Sequence, residues 1–584
     1  MDRYTLQGSK YRWLLPQITD RATLPALASS YNLAIPVAEI LISRGFTTRA
    51  LIDEFLFTTY DKDVHDPRAL KDALKAVERI ELAIERNEKI LVFGDYDVDG
   101  ITSSALMMNC LLPLGAQANF FLPHRVHDGY GISTKIIDRA ADNGYTLVIT
   151  VDNGITAFEP AARARERGID LIITDHHRPH DHLPDAYAIV NPNQDDCTYP
   201  FKSFAGVGVA FKILSLLYER RGLALPHKAY ELLLLGTVAD VVPLRGENRF
   251  WVRYGLSYVN NCVDSLSLVA LKKNGKVSDK PLSSLDIGFS ITPQINALGR
   301  LEDPRQGVKF LIGSSQDDVD EVARILLQLN EARKAIEKDI IQDIVSRVQA
   351  GIIDITREKI IVATSNQWPP GVIGLVASRI VSEYGRPVIL LHETSQGILK
   401  GSCRSIPALS IFDALHETRD LLVQFGGHTV AAGLSLKKEH LPAFKERLES
   451  YIGARLTADD FIQKLKVDAH LPLPDLTSKF VHDLEHLEPF GNENPVPLFC
   501  VKNVVLVQKP TLLKELHVKC MVFAEGVIKP LIFFNRPELY TELLAKGFEP
   551  FCVIAQVSKN YWNGKLSLEL IGVDITFSTY DEVI

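Results

Sequence analysis

The chain has 584 residues, 46% of them hydrophobic and 23% charged, which is the composition of ordinary globular protein and excludes a largely disordered one. Lys+Arg 64 against Asp+Glu 72 leaves a net charge of −8, which excludes a uniformly basic nucleic-acid coat but allows a local basic groove. Seven scattered cysteines (110, 197, 262, 403, 500, 520 and 552) form no CxxC pair, so a disulfide framework and a thiolate zinc site are not expected, and a reducing compartment fits.

The length predicts about three to five domains. No run of 18 apolar residues predicts a membrane span. The start, MDRYTLQGSKYRW, lacks the apolar core of a secretory signal, so the cytoplasm is the expected location. Residues 1–60 read as a helical segment, with AEILISRGF and RALIDEFL as amphipathic pieces, expected to pack on the catalytic lobe. From Lys89 short apolar runs end one after another in polar residues: KILVF before GDYDVDG, TLVITV before DNG, DLIIT before DHH, YAIV before NPN. Helical stretches lie between them, so the fold class is α/β with a parallel sheet buried on both faces.

Residues 315–350 contain no Gly or Pro, and apolar residues recur near a helical period from Val319 to Val348, consistent with one helix or with two packed ones. The spacing predicts a single long connector helix. REKIIVAT and RPVILL then read as strands around the helix GVIGLVASRIVSEYG, a second α/β lobe. From about residue 460, short β-type runs with turn signals predict a small barrel or sandwich. The expected domains are 1–60, a catalytic domain 61–312, the connector 313–354, a second lobe 355–456 and an OB-like domain 457–584.

The chemistry concentrates at three strand ends. Asp95, Asp97 and Asp99 follow the first strand, Asp152 the second, and His176 and His177 the third. Ligand sites of open α/β sheets gather at such ends. Alternation along an extended segment is expected to bring Asp97 and Asp99 to one side. An EF-hand loop is ruled out, because Leu106 stands where its Glu belongs and a strand precedes the motif. A further acid, Asp240, ends the apolar helix YELLLLGTVAD, where the helix dipole disfavours it unless a cation is near. Four of these carboxylates, Asp97, Asp99, Asp152 and Asp240, with one or two imidazoles suit two divalent cations, magnesium or manganese rather than structural zinc. No Walker A motif occurs, so nucleotide-driven motor work is not expected.

DYDVDG, TVDNG, DHH and GTVAD, in that order, resemble the four motifs of the DHH phosphoesterases. WPPGVIGLVASR and Gly426-Gly427-His428-TVAAG are similar to the DHH-associated second lobe, and the β-rich tail lies where exonuclease members of the family carry an OB fold. The resemblance implies that Asp97, Asp99, Asp152, His176 and Asp240 hold two Mn2+ or Mg2+ ions, with Asp152 as the bridge. It implies that His177 contacts the scissile phosphate and that Asp95 ligates directly or orients a ligand. Related pyrophosphatases have a His where this chain has Phe93, which argues against that activity. Arg125, Arg300, Ser402, Arg404, Ser405, Gly426, Gly427 and His428 are implied to hold the nucleic acid, and Tyr561 and Trp562 to stack on its bases. The activity implied is 5′→3′ degradation of single-stranded DNA to 5′-mononucleotides in recombination and repair, by a monomer working with single-strand-binding protein and a RecQ-type helicase. The alternative is a DHH phosphodiesterase of short oligonucleotides or cyclic dinucleotides.

Overall fold

The computed structural model describes residues 5–18, 21–125, 128–129, 131–262, 265–562 and 565–578, without the side chains of 561, 562, 565 and 566. The chain forms two compact units. One comprises Thr58–Ile452 with Pro489–Asn494; the other comprises Met1–Phe57, Gly453–Glu488 and Pro495–Ile584.

The first unit opens with five parallel strands in spatial order Gln117–Phe121, Lys89–Phe93, Tyr145–Val151, Asp170–Thr174, Ala188–Val190. Their near-continuous Val, Ile and Leu content reflects burial on both faces. Helices then follow one another from Gly206 to Ile312. The helix Val98–Leu111 is buried along almost its whole length and packs against Gly206–Arg220 and Lys228–Ala239. That contact carries Asp99 and Asp240 toward each other.

The connector is one helix, Gln316–Gln349, of 34 residues, about 51 Å long at 1.5 Å per residue. Ser315 caps its start, acids occupy its first turn and Arg347 its last, as the helix dipole favours. Its buried positions are 319, 323, 326, 330, 333, 337, 340 and 344, a strict alternation of four and three. Val319, Ala323 and Leu326 complete the catalytic core; Ile340 and Ile344 belong to the core of the second lobe. The middle of the stripe is polar, with Asn330, Arg333 and Glu337, which an apolar pattern does not reveal. The second lobe has five strands in order Leu422–Gly427, Ala431–Lys437, Ile398–Arg404, Val388–Glu393, Ile361–Ser365.

In the other unit, Phe499–Leu506 pairs with both Phe551–Trp562 and His517–Ala524. With Val527–Phe533 and Lys565–Thr576 between them, these five strands close into a barrel. Residues 5–57 fold with this barrel, a correction to their expected place on the catalytic lobe. They also contain strands, Thr5–Gln7 and Arg12–Leu14, the second paired with Lys464–Lys466. Trp13 is fully buried, and its indole N–H donates to Asp574, 2.8 Å away. The long sequence separation explains why no local pattern shows the pairing. The seven cysteines are all free. Among the described residues no single helix is long and apolar enough to cross a membrane.

Candidate metal centre

The strand ends and the helix end bring the six predicted acid and imidazole ligand candidates together. Three overlapping groups have donor atoms within 4.8 Å of one another: Asp95, Asp97 and Asp152; Asp99, His176 and Asp240; and Asp152, Asp175, His176 and His177. His176 Nε2 is 3.1 Å from Asp152, 3.7 Å from Asp240 and 4.0 Å from Asp99. The route by which Asp97 and Asp99 converge differs from the expected strand alternation. Asp97 caps the helix Val98–Leu111, accepting from the Gly100 N–H at 3.1 Å, and Asp99 lies in its first turn. The two acids therefore enter different groups.

Local geometry holds each ligand in place. The N–H groups of Gly206 and Val207, at the start of a helix, donate to Asp99 at 2.5 and 2.9 Å, the usual anion contact of a helix N-terminus. Asp152 adopts φ +61°, a left-handed conformation that Asp and Asn tolerate better than other side chains. Asp175 is fully buried; it accepts from the His176 and His177 N–H groups and bonds His177 Nδ1 at 2.7 Å. Asn191 and Asn193 donate to the carbonyls of His177 and His176. Asp175, the head of the DHH triplet, thus belongs to the site although the expected ligand set does not contain it. Nothing local marks the Gly206–Val207 cap or the two asparagines.

The electrostatics call for cations. Burial, then Asp97, raises Asp99 to about 7; burial, then Asp99, raises Asp240 to about 9. Burial likewise pushes Asp95 and Asp152 well above the usual carboxylate range, aided by Asp97 and Asp99 respectively. His176 falls to about 4 through burial and His177, against the opposing pull of Asp175 and the Phe204 backbone. Its Nε2 therefore turns a lone pair toward three carboxylates, and this nitrogen and Asp95 Oδ1 are buried without a hydrogen-bond partner. Such a set of hard oxygens with one imidazole fits magnesium or manganese.

This yields a stability prediction. Acids harder to ionise in the folded than in the unfolded state stabilise the fold below about pH 4, and lose that contribution as pH rises through their folded values. In EDTA, Tm should fall between pH 5 and 9, chiefly through Asp99 and Asp240. Manganese should flatten the slope, because it favours the ionised ligands. Scanning calorimetry at pH 5, 7 and 9 checks this; a Tm in EDTA that rises across that window would contradict it.

Beside the acids lies a basic cluster from both lobes of this unit. The Arg125 guanidinium sits 4.3 Å over the Tyr96 ring. Arg300, in the glycine-containing run INALGR that reads from sequence as a polar loop, instead occupies the helix Thr292–Leu301. Its Nη1 donates to the Gly371 carbonyl at 3.0 Å, and burial with Arg125 and Arg333 lowers it to about 10. Arg404 donates to Ser378 and Ser402, and burial lowers it, with Arg125 pushing the same way. Ser402 and Gly426 line a cavity of about 410 Å3 with Lys400 and Pro370. A Cβ on Gly426 would meet no protein atom within 4 Å, whereas one on Gly427, at φ +143°, would strike Ala431 and Ala432. Gly427 therefore serves the turn, and the bare Gly426 leaves space. His428 is exposed at that turn. Ser405 spends its hydroxyl on the Leu409 carbonyl, so its proton is committed to a turn. The side chains of Tyr561 and Trp562 lie outside the described residues; their backbone forms the end of a hairpin.

Comparison with known proteins agrees with this layout. The family model described as DHH family, N-terminal domain, matches residues 89–237, the DHHA1 domain 357–454 and the RecJ OB domain 467–574. The single-stranded-DNA-specific exonuclease RecJ of Bacillus subtilis is 37% identical over 578 residues, covering 98% of this chain and 72% of that protein. The Escherichia coli protein of the same name is 36% identical over 471 residues, covering 77% of this chain and 81% of that one. A crystal structure of Thermus thermophilus RecJ in complex with Mn2+ superposes with a TM-score of 0.82 at 29% identity, covering 97% of this chain and 79% of that one.

Proposed function

This chain belongs to the RecJ family, and from that premise we propose that it is a metal-dependent exonuclease that degrades single-stranded DNA from the 5′ end to 5′-mononucleotides. The observation that carries the reading is the convergence of the acid–histidine cluster with arginines from both lobes. Asp97, Asp99, Asp152, His176 and Asp240 would hold two divalent cations, manganese or magnesium, with Asp95 as a ligand or as an orienting group. When bound, these ions supply the Lewis acidity that makes water nucleophilic at neutral pH and clamp the attacking and leaving oxygens.

The chain's own residues do the rest. Asp175 fixes the His177 ring and favours its protonated form, so His177 can donate to a phosphate oxygen whose charge grows during attack. Arg125, Arg300 and Arg404 neutralise the strand, their planar forks suited to phosphate oxygens. Ser402, Arg404 and Gly426 would hold the 5′-terminal nucleotide, with Gly427 and His428 shaping the turn beside it. On this reading the protein acts as a cytoplasmic monomer in recombination and repair, with single-strand-binding protein and a RecQ-type helicase as partners.

The test is digestion of a long single strand labelled at either end, with manganese, magnesium or EDTA. Metal-dependent release of the 5′ label as mononucleotide, with duplex spared, is expected. Inert DNA but rapid cleavage of dinucleotides would overturn the reading and move the chain to the small-substrate phosphodiesterases.

A further inference from the structure

Beside the metal centre lies a cavity of about 280 Å3 that the steps above leave unused. Val238, Leu285 and Pro293 are among its apolar walls, and Asn296, Arg300 and Arg333 are polar groups on its lining. It lies just below the range of small-ligand pockets, about 300–1,000 Å3, room for one base with its sugar rather than a base pair. Wall residues Ala239 and Val241 flank Asp240, a proposed metal ligand, and Arg300, also on the wall, feels the charge of Asp97, which sets the cavity next to the reaction centre.

Three observations point to its occupant. Phe289, on the lining, is 79% exposed; it rides a single wide turn of π-type helix, Ile287–Ile291, a distortion frequent at functional sites. An uncovered aromatic ring at a cavity mouth is a stacking platform. Val241, also on the lining and 64% exposed, is held at φ +60°, a real outlier for a β-branched residue; the Asn492 side chain, donating to its carbonyl at 2.6 Å, fixes it there. Guanidinium groups gather at the lining: Glu337 is shared by Arg333 and Arg379, and Arg300 feels Asp97 and Glu337 but its recorded bond is to the Gly371 carbonyl. The cavity thus offers a ring platform, apolar walls and a guanidinium bonded to a backbone carbonyl rather than a carboxylate, which together match a nucleotide unit.

We propose that the cavity takes the base and sugar of the strand's second nucleotide, the one bearing the scissile phosphate on its 5′ side, with the base against Phe289 and Arg300 on the phosphate. This rests on the exonuclease reading, in which the first nucleotide occupies the cavity beside Ser402 and Gly426. Arg300 joins the two spaces: it lines this one and bonds Gly371, the neighbour of Pro370 on the wall of the other. Phe289 is a positioning residue for the known reaction under this assignment, and it sets a requirement for a base at position two.

The experiment is single-turnover release of the first nucleotide from a 5′-labelled 12-mer, either intact or carrying one tetrahydrofuran abasic unit at position 1, 2, 3 or 4. The abasic unit at position 2 should slow the wild-type protein roughly tenfold, the scale of one base–aromatic stack. Phe289→Ala should slow the intact strand by a similar factor and lose its sensitivity at position 2, while Phe289→Tyr keeps both wild-type properties. Its exposure means that Phe289→Ala should leave Tm unchanged. A wild-type rate for Phe289→Ala, losses that multiply to roughly a hundredfold, or sensitivity at another position with position 2 silent would each overturn the assignment. A wild-type protein inert on the intact strand would instead refute the exonuclease reading itself.

Discussion

Asp152→Asn should lower hydrolysis of single-stranded DNA by about 10³-fold without unfolding the protein. Asp152 belongs to two of the three donor groups, so its loss weakens both halves of the centre. Metal ions contribute several kcal/mol of transition-state stabilisation, and about 4 kcal/mol corresponds to a thousandfold in rate. Asn is the informative replacement because the backbone there is left-handed, a conformation that Asn accepts and Ala resists. The same substitution removes one charge from a crowded, buried set. Tm in EDTA should therefore hold or rise, while the stabilisation by manganese shrinks. Rate assays paired with calorimetry check both halves; near-normal activity would remove Asp152 from the centre.

The second large effect is expected from a substitution that replaces no ligand. In Gly206→Ala the new Cβ would lie 2.5 Å from Asp152 Cβ and 2.7 Å from its Cα, closer than real contacts permit. Gly206 also donates the backbone bond that holds Asp99. Replacing Gly by Ala inside a helix ordinarily stabilises by roughly 0.5–1 kcal/mol, so sequence-level reasoning predicts a benign change. The geometry predicts the reverse: displaced Asp152 and Asp99, and metal affinity down by about 10–100-fold, as for other residues that orient ligands. Isothermal titration with manganese measures this directly. Unchanged affinity would mean that the helix start yields freely.

What the sequence showed and what it hid divide along the range of the interactions. KILVF, TLVITV and DLIIT declare themselves because a doubly buried strand must be apolar throughout. The acids after them are conspicuous because nothing else explains charge at those ends. The long helix was visible in its period. Three things were not. Asp97 and Asp99 were placed on an extended segment, but the Asp97 cap starts a helix between them. Arg300 lies on a helix whose Gly299 packs so closely on the Tyr96 carbonyl that no side chain fits there, a tertiary contact without a local sign. Barrel closure depends on Phe499–Leu506 finding two partners, which strand counting cannot supply.

The pairing of Trp13 with Asp574 has a consequence for biosynthesis. The two residues are 561 positions apart, so at about 5–20 residues per second the ribosome needs roughly 30–110 s between them. Until Lys464–Lys466 and later Asp574 emerge, Trp13 and Leu6, both buried in the finished protein, find final partners only within their own hairpin, and by then the unit Thr58–Ile452 already has nearly all of its own chain. The metal-binding lobe can therefore mature first, and the barrel unit closes only when the strand Lys565–Thr576 has left the ribosome. A chain that stops short of this strand would carry every residue of the reaction centre yet lack the Asp574 partner of Trp13 and one strand of the barrel.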